Sequence, residues 1–296
     1  MKPLSTIVFP ALLRGLGWLP LWLLYGLGRA VGRYNYGFRT RMARVTRRNI
    51  ERCFPDWTRE QQRQLEKASL RETGRLGGEI MAVWSRSLGW THKRILRVQG
   101  LDAVKEHLAR GKGLIVLAPH LGNWEVLGVY LSELGQVTNL YEPPKRQEFE
   151  ALVRSSRQKA GAKLVPTNTK GVAALLQALK RGQITGILPD QTPNQAGGTF
   201  TEFFGQPAFT MTLIHKLIQR TGCAAVYGYA RRVEGGFEIV FRLVEEELYS
   251  DDEQGALRAL NRGIEACVLD IPEQYQWEYK RFKKQPDNSN FYHGAE

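Results

Sequence analysis

The chain has 296 residues, 43% of them hydrophobic, which excludes a polytopic membrane protein and allows a sizeable core in one large domain or two. With 42 Lys and Arg against 29 Asp and Glu, the formal net charge is +13. This excess indicates an anionic partner: a nucleic acid, an acidic lipid surface, a phosphorylated substrate or an acidic carrier protein. The three cysteines are far apart and predict neither a disulfide framework nor a zinc site, which fits a reducing compartment.

The first predicted element is an apolar N-terminal segment. Between residues 3 and 28 the only charged side chain is Arg14. Such a run could cross a bilayer, which needs about 20 mostly apolar residues. Pro10, Pro20 and Arg14 argue against a straight, fully lipid-exposed span, so a kinked or half-inserted anchor is the alternative. We expect a membrane anchor over residues 1–32 and disfavour a cleaved signal peptide, because the basic residues follow the apolar run and no small-residue cleavage site is present.

An arginine-rich segment follows the anchor. Eight arginines lie between Arg29 and Arg52, opposed only by Glu51. Positive flanks stay cytoplasmic, and each basic residue near an anionic surface adds about 1 kcal/mol of attraction. We therefore expect a basic juxtamembrane segment over 33–56, and the domain that follows it, residues 57–296, on the cytoplasmic side. A solvated linker helix would explain the charges but not their position beside the anchor.

Beyond the basic segment, the patterning predicts an α/β fold. A long helix is expected from Thr58 to Ser87, beginning with a capping box at Thr58 and Gln61. Further strands are predicted near 95–99, 114–118, 137–141, 163–165, 184–188, 223–230 and 237–244, and helices near 101–110, 124–134, 147–160, 170–181, 210–221 and 254–269. This alternation predicts a mostly parallel or mixed central sheet flanked by helices, with the last strand antiparallel and near an edge.

His120 is the candidate catalytic base. It follows the predicted strand 114–118, and open α/β sheets build their sites at the carboxyl ends of strands. Helical positions five apart point about 140° away from each other, so Glu125 can meet His120 only if His120 lies in the preceding turn. Asn123 is the expected N-cap. We expect Glu125 to orient His120 as general base. The alternative is a histidine that only satisfies hydrogen bonds at a strand end.

Two arginines form a second candidate site. Arg154 and Arg157 are three apart on the predicted helix 147–160, so they share a face and could clamp one phosphate. A solvated charged face is the alternative interpretation.

Two further features follow the predicted strand 184–188. Asp190 and Gln191 end that strand, and if it neighbours the strand of His120, Asp190 could hold a hydroxyl or a backbone N–H of the site. An Asx-type turn explains Asp190 equally well. The aromatic stretch 200–208 is either a mobile lip over an acyl-chain pocket or a hydrophobic loop packed on the core.

Together these residues resemble the lipid A biosynthesis (late) acyltransferases, within the membrane-anchored His-x-x-x-x-Asp/Glu acyltransferase superfamily. The resemblance covers nearly the whole chain: the N-terminal anchor, the His120–Glu125 box, the segment Pro189–Gln191, the run Phe203–Ala208 and the tail Pro272–Lys283. The sequence departs from some members at Tyr279, where they carry a histidine, so we assign no catalytic role to that position.

The resemblance implies transfer of a fatty acyl group, of lauroyl type, from acyl carrier protein to a hydroxyl of a 3-hydroxyacyl chain on a lipid A precursor. It also implies a ternary complex, in agreement with the lack of a Gly-x-Ser-x-Gly elbow. The expected partners are acyl carrier protein, the lipid A precursor and the anionic inner leaflet, with no nucleic acid, metal or cofactor. The expected catalytic residues are His120 and Glu125, and the expected substrate-binding residues are Asn123, Arg154, Arg157, Asp190 and Gln191.

Two other functions remain as alternatives. A lysophospholipid or glycerol-phosphate acyltransferase of the same superfamily shares the histidine box. The motifs that follow the box, Pro189–Gln191, Phe203–Ala208 and Pro272–Lys283, count against this alternative. A non-enzymatic basic protein that binds membranes or nucleic acid explains the charge. It leaves His120 and Glu125 without a role, and the sequence carries no recognisable nucleic-acid module.

Overall fold

A mixed five-stranded sheet with helices on both faces forms the body of the protein, as described by a computed structural model for residues 12–144 and 147–295. The helices are α1 (Leu21–Gly37), α2 (Arg41–Cys53), α3 (Arg59–Ser85), α4 (Leu88–His92), α5 (Leu101–Ala109), α6 (Trp124–Leu134), α7 (Gln147–Lys159), α8 (Thr169–Lys180), α9 (Leu213–Thr221) and α10 (Glu253–Asp270). The strands are β1 (Ile95–Gln99), β2 (Leu114–Leu117), β3 (Thr138–Tyr141), β4 (Lys163–Pro166), β5 (Ile184–Ile187), β6 (Gly198–Phe203), β7 (Gln206–Met211), β8 (Ala224–Val233) and β9 (Gly236–Leu243).

The main sheet has the strand order β1-β9-β8-β2-β5. Strands β8 and β9 are antiparallel, and the other neighbouring pairs are parallel. The predictions of a mixed sheet and of an antiparallel last strand near an edge are confirmed, with β1 as the edge strand beyond β9. Because β2 and β5 are parallel neighbours, their carboxyl ends meet at the same edge of the sheet.

Strands β3 and β4 were predicted at their observed positions but pair with each other outside the main sheet. A single bridge between Val137 and Ile184 connects this pair to β5. The Asn139 side chain reinforces the connection, because its Oδ1 accepts the backbone N–H of Gly186 at 2.8 Å.

The aromatic stretch expected to be a lip or a packed loop is instead an antiparallel hairpin of β6 and β7. Its turn residues Phe204 and Gly205 have φ of 49° and 67°, both positive, as in the tight hairpin turns whose twist matches the strands. Phe203 is buried, and the N–H of Phe204 donates to Glu265 of α10 at 2.6 Å. The hairpin is therefore packed on the body of the protein.

The core lies on both faces of the sheet. Strand β2 alternates between them: Ile115 and Leu117 face the cluster formed with α8, α9 and α10, whereas Leu114 and Val116 face the cluster formed with α5 and α6. Both faces of β2 are fully buried, which explains its continuous apolar sequence.

The N-terminal region is a helix packed on the body. A turn ending at Pro20 separates helical residues 12–17 from α1. Helix α1 crosses α3 at very close range, since a Cβ added to Gly28 would lie 2.5 Å from the backbone of Gly74. Among the described residues, no helix has the length and apolarity needed to traverse a bilayer. The expected membrane-crossing anchor over 1–32 is therefore unsupported, and residues 1–11 of that segment lie outside the described part.

The arginine-rich segment 33–56, which the sequence analysis places outside the domain of residues 57–296, contributes to the core. Helix α2 places Val45 and Ile50 in the cluster on one face of the sheet. Asn49 is buried, and its amide donates to the backbone carbonyls of Trp277 at 2.6 Å and Tyr279 at 2.9 Å. Segment 33–56 is thus integrated with the C-terminal tail.

Candidate active site

His120 lies in a tight turn between β2 and α6. Gly122 in this turn has a φ of 60°, and an added Cβ would lie 2.1 Å from the carbonyl oxygen of Ala230, so a glycine is required there. The carbonyl of His120 accepts the backbone N–H of Gln276 at 3.1 Å. The backbone on both sides of the imidazole is therefore held by neighbouring segments.

Asn123 is the N-cap of α6, as predicted. Its Oδ1 accepts the backbone N–H groups of Glu125 and Val126, each at 3.1 Å, and its Nδ2 donates to Glu79 at 3.1 Å. Glu79 is fully buried and also pairs with Arg232 of β8. Asn123 is fully buried, and both polar atoms of its side chain are bonded within the protein, so the structure gives it a positioning role at the start of α6.

The imidazole of His120 is oriented by Asp190. Nδ1 of His120 lies 2.8 Å from Oδ1 of Asp190, and the backbone N–H of His120 donates to Oδ2 at 2.8 Å. Burial alone would raise the pKa of Asp190, but the charge and hydrogen bonds of His120 outweigh it and lower that pKa. A carboxylate that accepts from Nδ1 leaves Nε2 as the proton acceptor of the neutral ring.

Nε2 of His120 faces Gln191. The amide nitrogen of Gln191 lies 3.1 Å from this atom, and it also donates to the side-chain oxygen of Gln276 at 3.3 Å. The basic nitrogen is thus directed at a polar, displaceable partner, and the side chain of His120 retains 13% exposure.

Glu125 has a different partner from the expected one. It lies in the first turn of α6, as predicted, but it forms a bidentate ion pair with Arg157 of α7, at 2.6 Å and 3.3 Å. The expectation that Glu125 orients His120 is therefore corrected, because the side chain of Glu125 is directed towards α7. Burial would lower the pKa of Arg157, but the charge and hydrogen bonds of Glu125 outweigh it and raise that pKa.

Arg154 and Arg157 share a face of α7, as their spacing predicts. Both guanidinium groups lie over the ring of Tyr141, at 5.2 Å and 5.9 Å. Arg154 is paired with Glu150 at 2.8 Å in a partly exposed bridge. The structure thus brings the two arginines together, and each is already held by a carboxylate of the protein.

The C-terminal tail supplies further groups to which the sequence analysis gave no role. The hydroxyl of Tyr279 accepts the backbone N–H of Thr192 at 3.0 Å. Glu278 accepts from Thr73 at 3.2 Å, and burial raises its pKa, partly offset by hydrogen bonds and by the charge of His120. The tail motif in the sequence was the signal that these residues lie at the site.

An apolar cleft opens beside the imidazole. The ring of Trp124 packs against that of His120 with centroids 4.9 Å apart, and it also lines a cleft of about 700 Å³, open mouth included. Other lining residues are Ala118, Leu127, Gly128, Leu131, Leu140 and Leu188. A histidine paired with a carboxylate can deprotonate a hydroxyl, and the cleft can hold a hydrocarbon next to it.

Comparison with known proteins agrees with this geometry. Residues 4–284 match the family described as bacterial lipid A biosynthesis acyltransferase. The chain is 27% identical to the lipid A biosynthesis palmitoleoyltransferase of Escherichia coli K12, over 92% of this chain and 90% of that protein. It is 24% identical to the lauroyltransferase of the same strain, over 91% and 88% of the two chains. A myristoyltransferase from that strain is 24% identical, over 88% and 80%. A match over almost the whole length, with a histidine–carboxylate pair at the sheet edge, shows that the chain belongs to the bacterial lipid A biosynthesis acyltransferases.

Proposed function

We propose that the protein transfers a fatty acyl group from acyl carrier protein to the hydroxyl of a 3-hydroxyacyl chain on a lipid A precursor. The observation that carries this proposal is the His120–Asp190 pair beside an apolar cleft, in a chain of this family. The relatives transfer lauroyl, palmitoleoyl or myristoyl groups by their names, so the lauroyl donor remains a prediction.

The proposed reaction is a direct transfer in a ternary complex. The acceptor hydroxyl replaces the amide of Gln191 at Nε2 of His120 and attacks the thioester carbonyl as Nε2 removes its proton. The new C–O bond forms, the C–S bond breaks, and the thiol of the carrier leaves with the proton from the imidazolium. Asp190 stabilises the transient positive charge on His120.

We propose that Glu125 acts as a positioning residue for this reaction. Its ion pair with the partly exposed Arg157 joins the first turn of α6 to α7. That turn also carries Trp124, which packs on the imidazole. Loss of the pair would loosen the wall next to His120, so we expect Glu125→Gln to lower turnover even though Glu125 is not hydrogen-bonded to the base.

Electrostatics support anionic substrates. A formal charge of +13 would attract both an acidic carrier protein and a phosphorylated lipid. Arg157 lines the cleft and Arg154 lies beside it over the ring of Tyr141, and we propose that both add attraction for a phosphate of the acceptor or of the carrier's prosthetic arm. In that role Arg154, whose side chain is 43% exposed, makes the outer contact.

We propose that the protein lies on the cytoplasmic face of the inner membrane, attached through exposed apolar side chains on α1 and at its two ends. The large exposed side chains of this region include Trp18, Trp22, Val31, Tyr34 and Phe38, with Trp22 and Phe38 each 72% exposed. Exposed Arg33, Arg39 and Arg41 flank these side chains. Aromatic residues interleaved with arginines fit the headgroup region of an anionic leaflet.

An acceptor panel tests the proposed activity. Full-length protein would be incubated with lauroyl-acyl carrier protein and, in parallel, a lipid A precursor, glycerol 3-phosphate or a lysophospholipid. Mass spectrometry should find one added acyl chain on the lipid A precursor, in ester linkage to a 3-hydroxyacyl chain. Transfer to glycerol 3-phosphate or to a lysophospholipid, without transfer to the lipid A precursor, would contradict the proposal and favour the other acyltransferase class. Binding of nucleic acid without any acyl transfer would contradict both.

A further inference from the structure

Gly128 leaves a gap in the wall of the apolar cleft. It lies within α6, four residues after Trp124, or about 6 Å along the helix axis. A Cβ added to Gly128 would meet no heavy atom within 4 Å, so the missing side chain corresponds to empty space. Since Gly128 lines the cleft, this empty space belongs to the cleft.

Packing does not require a glycine at this position. Where the fold needs one, as at Gly28, an added Cβ would overlap a neighbouring backbone at 2.5 Å. A glycine inside a helix lowers its stability relative to alanine. Gly128 therefore has no packing benefit that would offset this cost, and, unlike the helical glycines Gly26 and Gly89, which also leave open space, it lines the cleft.

The cleft has a mostly apolar lining, which suits a hydrocarbon chain. Trp124 lies at its end nearest His120, and Leu131 lies seven residues further along α6, about 10 Å at 1.5 Å per residue. Ala160, Ala162 and Leu188 also line the cleft, together with the polar side chains of Asn139, Ser156 and Arg157. A chain that enters past Trp124 would pass Gly128 before it reaches Leu131.

We infer that this cleft binds the hydrocarbon chain of the acyl donor and that Gly128 sets how long a chain it accepts. The inference rests on the proposed function, since it assigns a subsite to that reaction. The donor chain is favoured over the acceptor chains because it arrives on a water-soluble carrier and has no bilayer to shield it. The acceptor's chains can remain in the lipid. Each methylene buried in the cleft would contribute about fourfold to affinity.

Substitution of Gly128 by larger residues tests the inference. Gly128→Ala and Gly128→Leu would be compared with Gly89→Leu, an exposed helical glycine in α4 where an added Cβ also meets nothing. The measurement is kcat/KM for carriers loaded with octanoyl to palmitoyl chains. We expect Gly128→Leu to move the preferred chain to a shorter one, with a loss of more than tenfold for the chain preferred by the wild type. Gly89→Leu should keep the wild-type profile.

A second measurement separates this inference from the proposed function. Displacement of a fluorescent fatty acid by free lauric acid or octanoic acid reports occupancy of the cleft without catalysis. Gly128→Leu should weaken lauric acid binding at least tenfold and spare octanoic acid. If Gly128→Leu changes fatty acid binding in this way but the wild type acylates no lipid A precursor, the inference about the cleft stands and the proposed function fails. The inference would be overturned if Gly128→Leu lost kcat/KM equally for all donor chains. It would also be overturned if this variant had a raised KM for the acceptor and the same donor preference as the wild type.

Discussion

At the scale of single residues, the site depends on which carboxylate meets the imidazole. Spacing in the sequence suggested Glu125, whereas the structure pairs His120 with Asp190, which is 70 residues away in sequence. The sequence did indicate that Asp190 could hold a backbone N–H of the site if its strand neighboured β2, and it accepts that of His120. The sequence does not show which of the two carboxylates binds His120, because the ion pair between Glu125 and Arg157 is a tertiary contact.

The lowered pKa of Asp190 predicts how acid affects stability. A carboxylate whose pKa in the folded protein lies below its value of about 3.9 in the unfolded chain stabilises the fold at pH values above about 3.9. This contribution is lost as the pH falls from there through the pKa of the folded protein. Asp190→Asn should therefore lower the free energy of unfolding by about 2–3 kcal/mol near neutral pH, and the difference from the wild type should shrink below about pH 4. Urea unfolding of both proteins at several pH values measures this difference in the free energy of unfolding. A difference that stays constant or grows on acidification would contradict the assignment.

The two arginines on α7 should respond differently to the same substitution. Lysine cannot reproduce the bidentate bond of Arg157 to buried Glu125. Arg157→Lys should therefore lower the free energy of unfolding by about 1–2 kcal/mol, less than for a fully buried pair because the side chain of Arg157 is 33% exposed. Arg154→Lys alters an exposed bridge and should change stability by less than about 0.5 kcal/mol. Equal effects in chemical unfolding would show that the Glu125–Arg157 pair is not structurally special.

At the scale of helices and strands, hydrophobic patterning predicted most elements near their observed positions. The capping box at Thr58 is present, and α6 begins at its predicted cap. The hairpin of β6 and β7 was missed because its turn carries Phe204-Gly205 instead of the Asn-Gly or Asp-Gly typical of such turns. The pairing of β3 with β4 outside the main sheet was also missed, since periodicity does not specify strand neighbours.

The contact between α1 and α3 makes a prediction at this scale. Gly28→Leu would force the two backbones apart and should lower the free energy of unfolding by more than about 2 kcal/mol. Gly26→Ala, on the same helix but with no heavy atom near the added Cβ, should be neutral or stabilise by about 0.5–1 kcal/mol. Thermal and chemical unfolding would measure both variants. A tolerated leucine at Gly28 would mean that α1 is not held on α3 as described.

At the scale of the whole molecule, the exposed apolar side chains on α1 and at its two ends should determine membrane attachment. Trp22→Ser combined with Phe38→Ser should weaken binding to anionic vesicles by more than about tenfold, because two large side chains lose apolar burial. Leu243→Ser, which alters a 66% exposed residue on β9, is the matched control. Added salt should weaken wild-type binding to anionic vesicles. Unchanged binding of the double variant in cosedimentation would contradict this attachment.

The central claim is that His120 is the general base of acyl transfer, and its direct test is the turnover of His120→Ala. With lauroyl-acyl carrier protein and a lipid A precursor, turnover should fall by about 10²- to 10⁴-fold while unfolding and vesicle binding match the wild type. His293→Ala, which removes an exposed histidine in the tail, should retain wild-type turnover. Near-normal turnover in folded, membrane-bound His120→Ala protein would contradict the account.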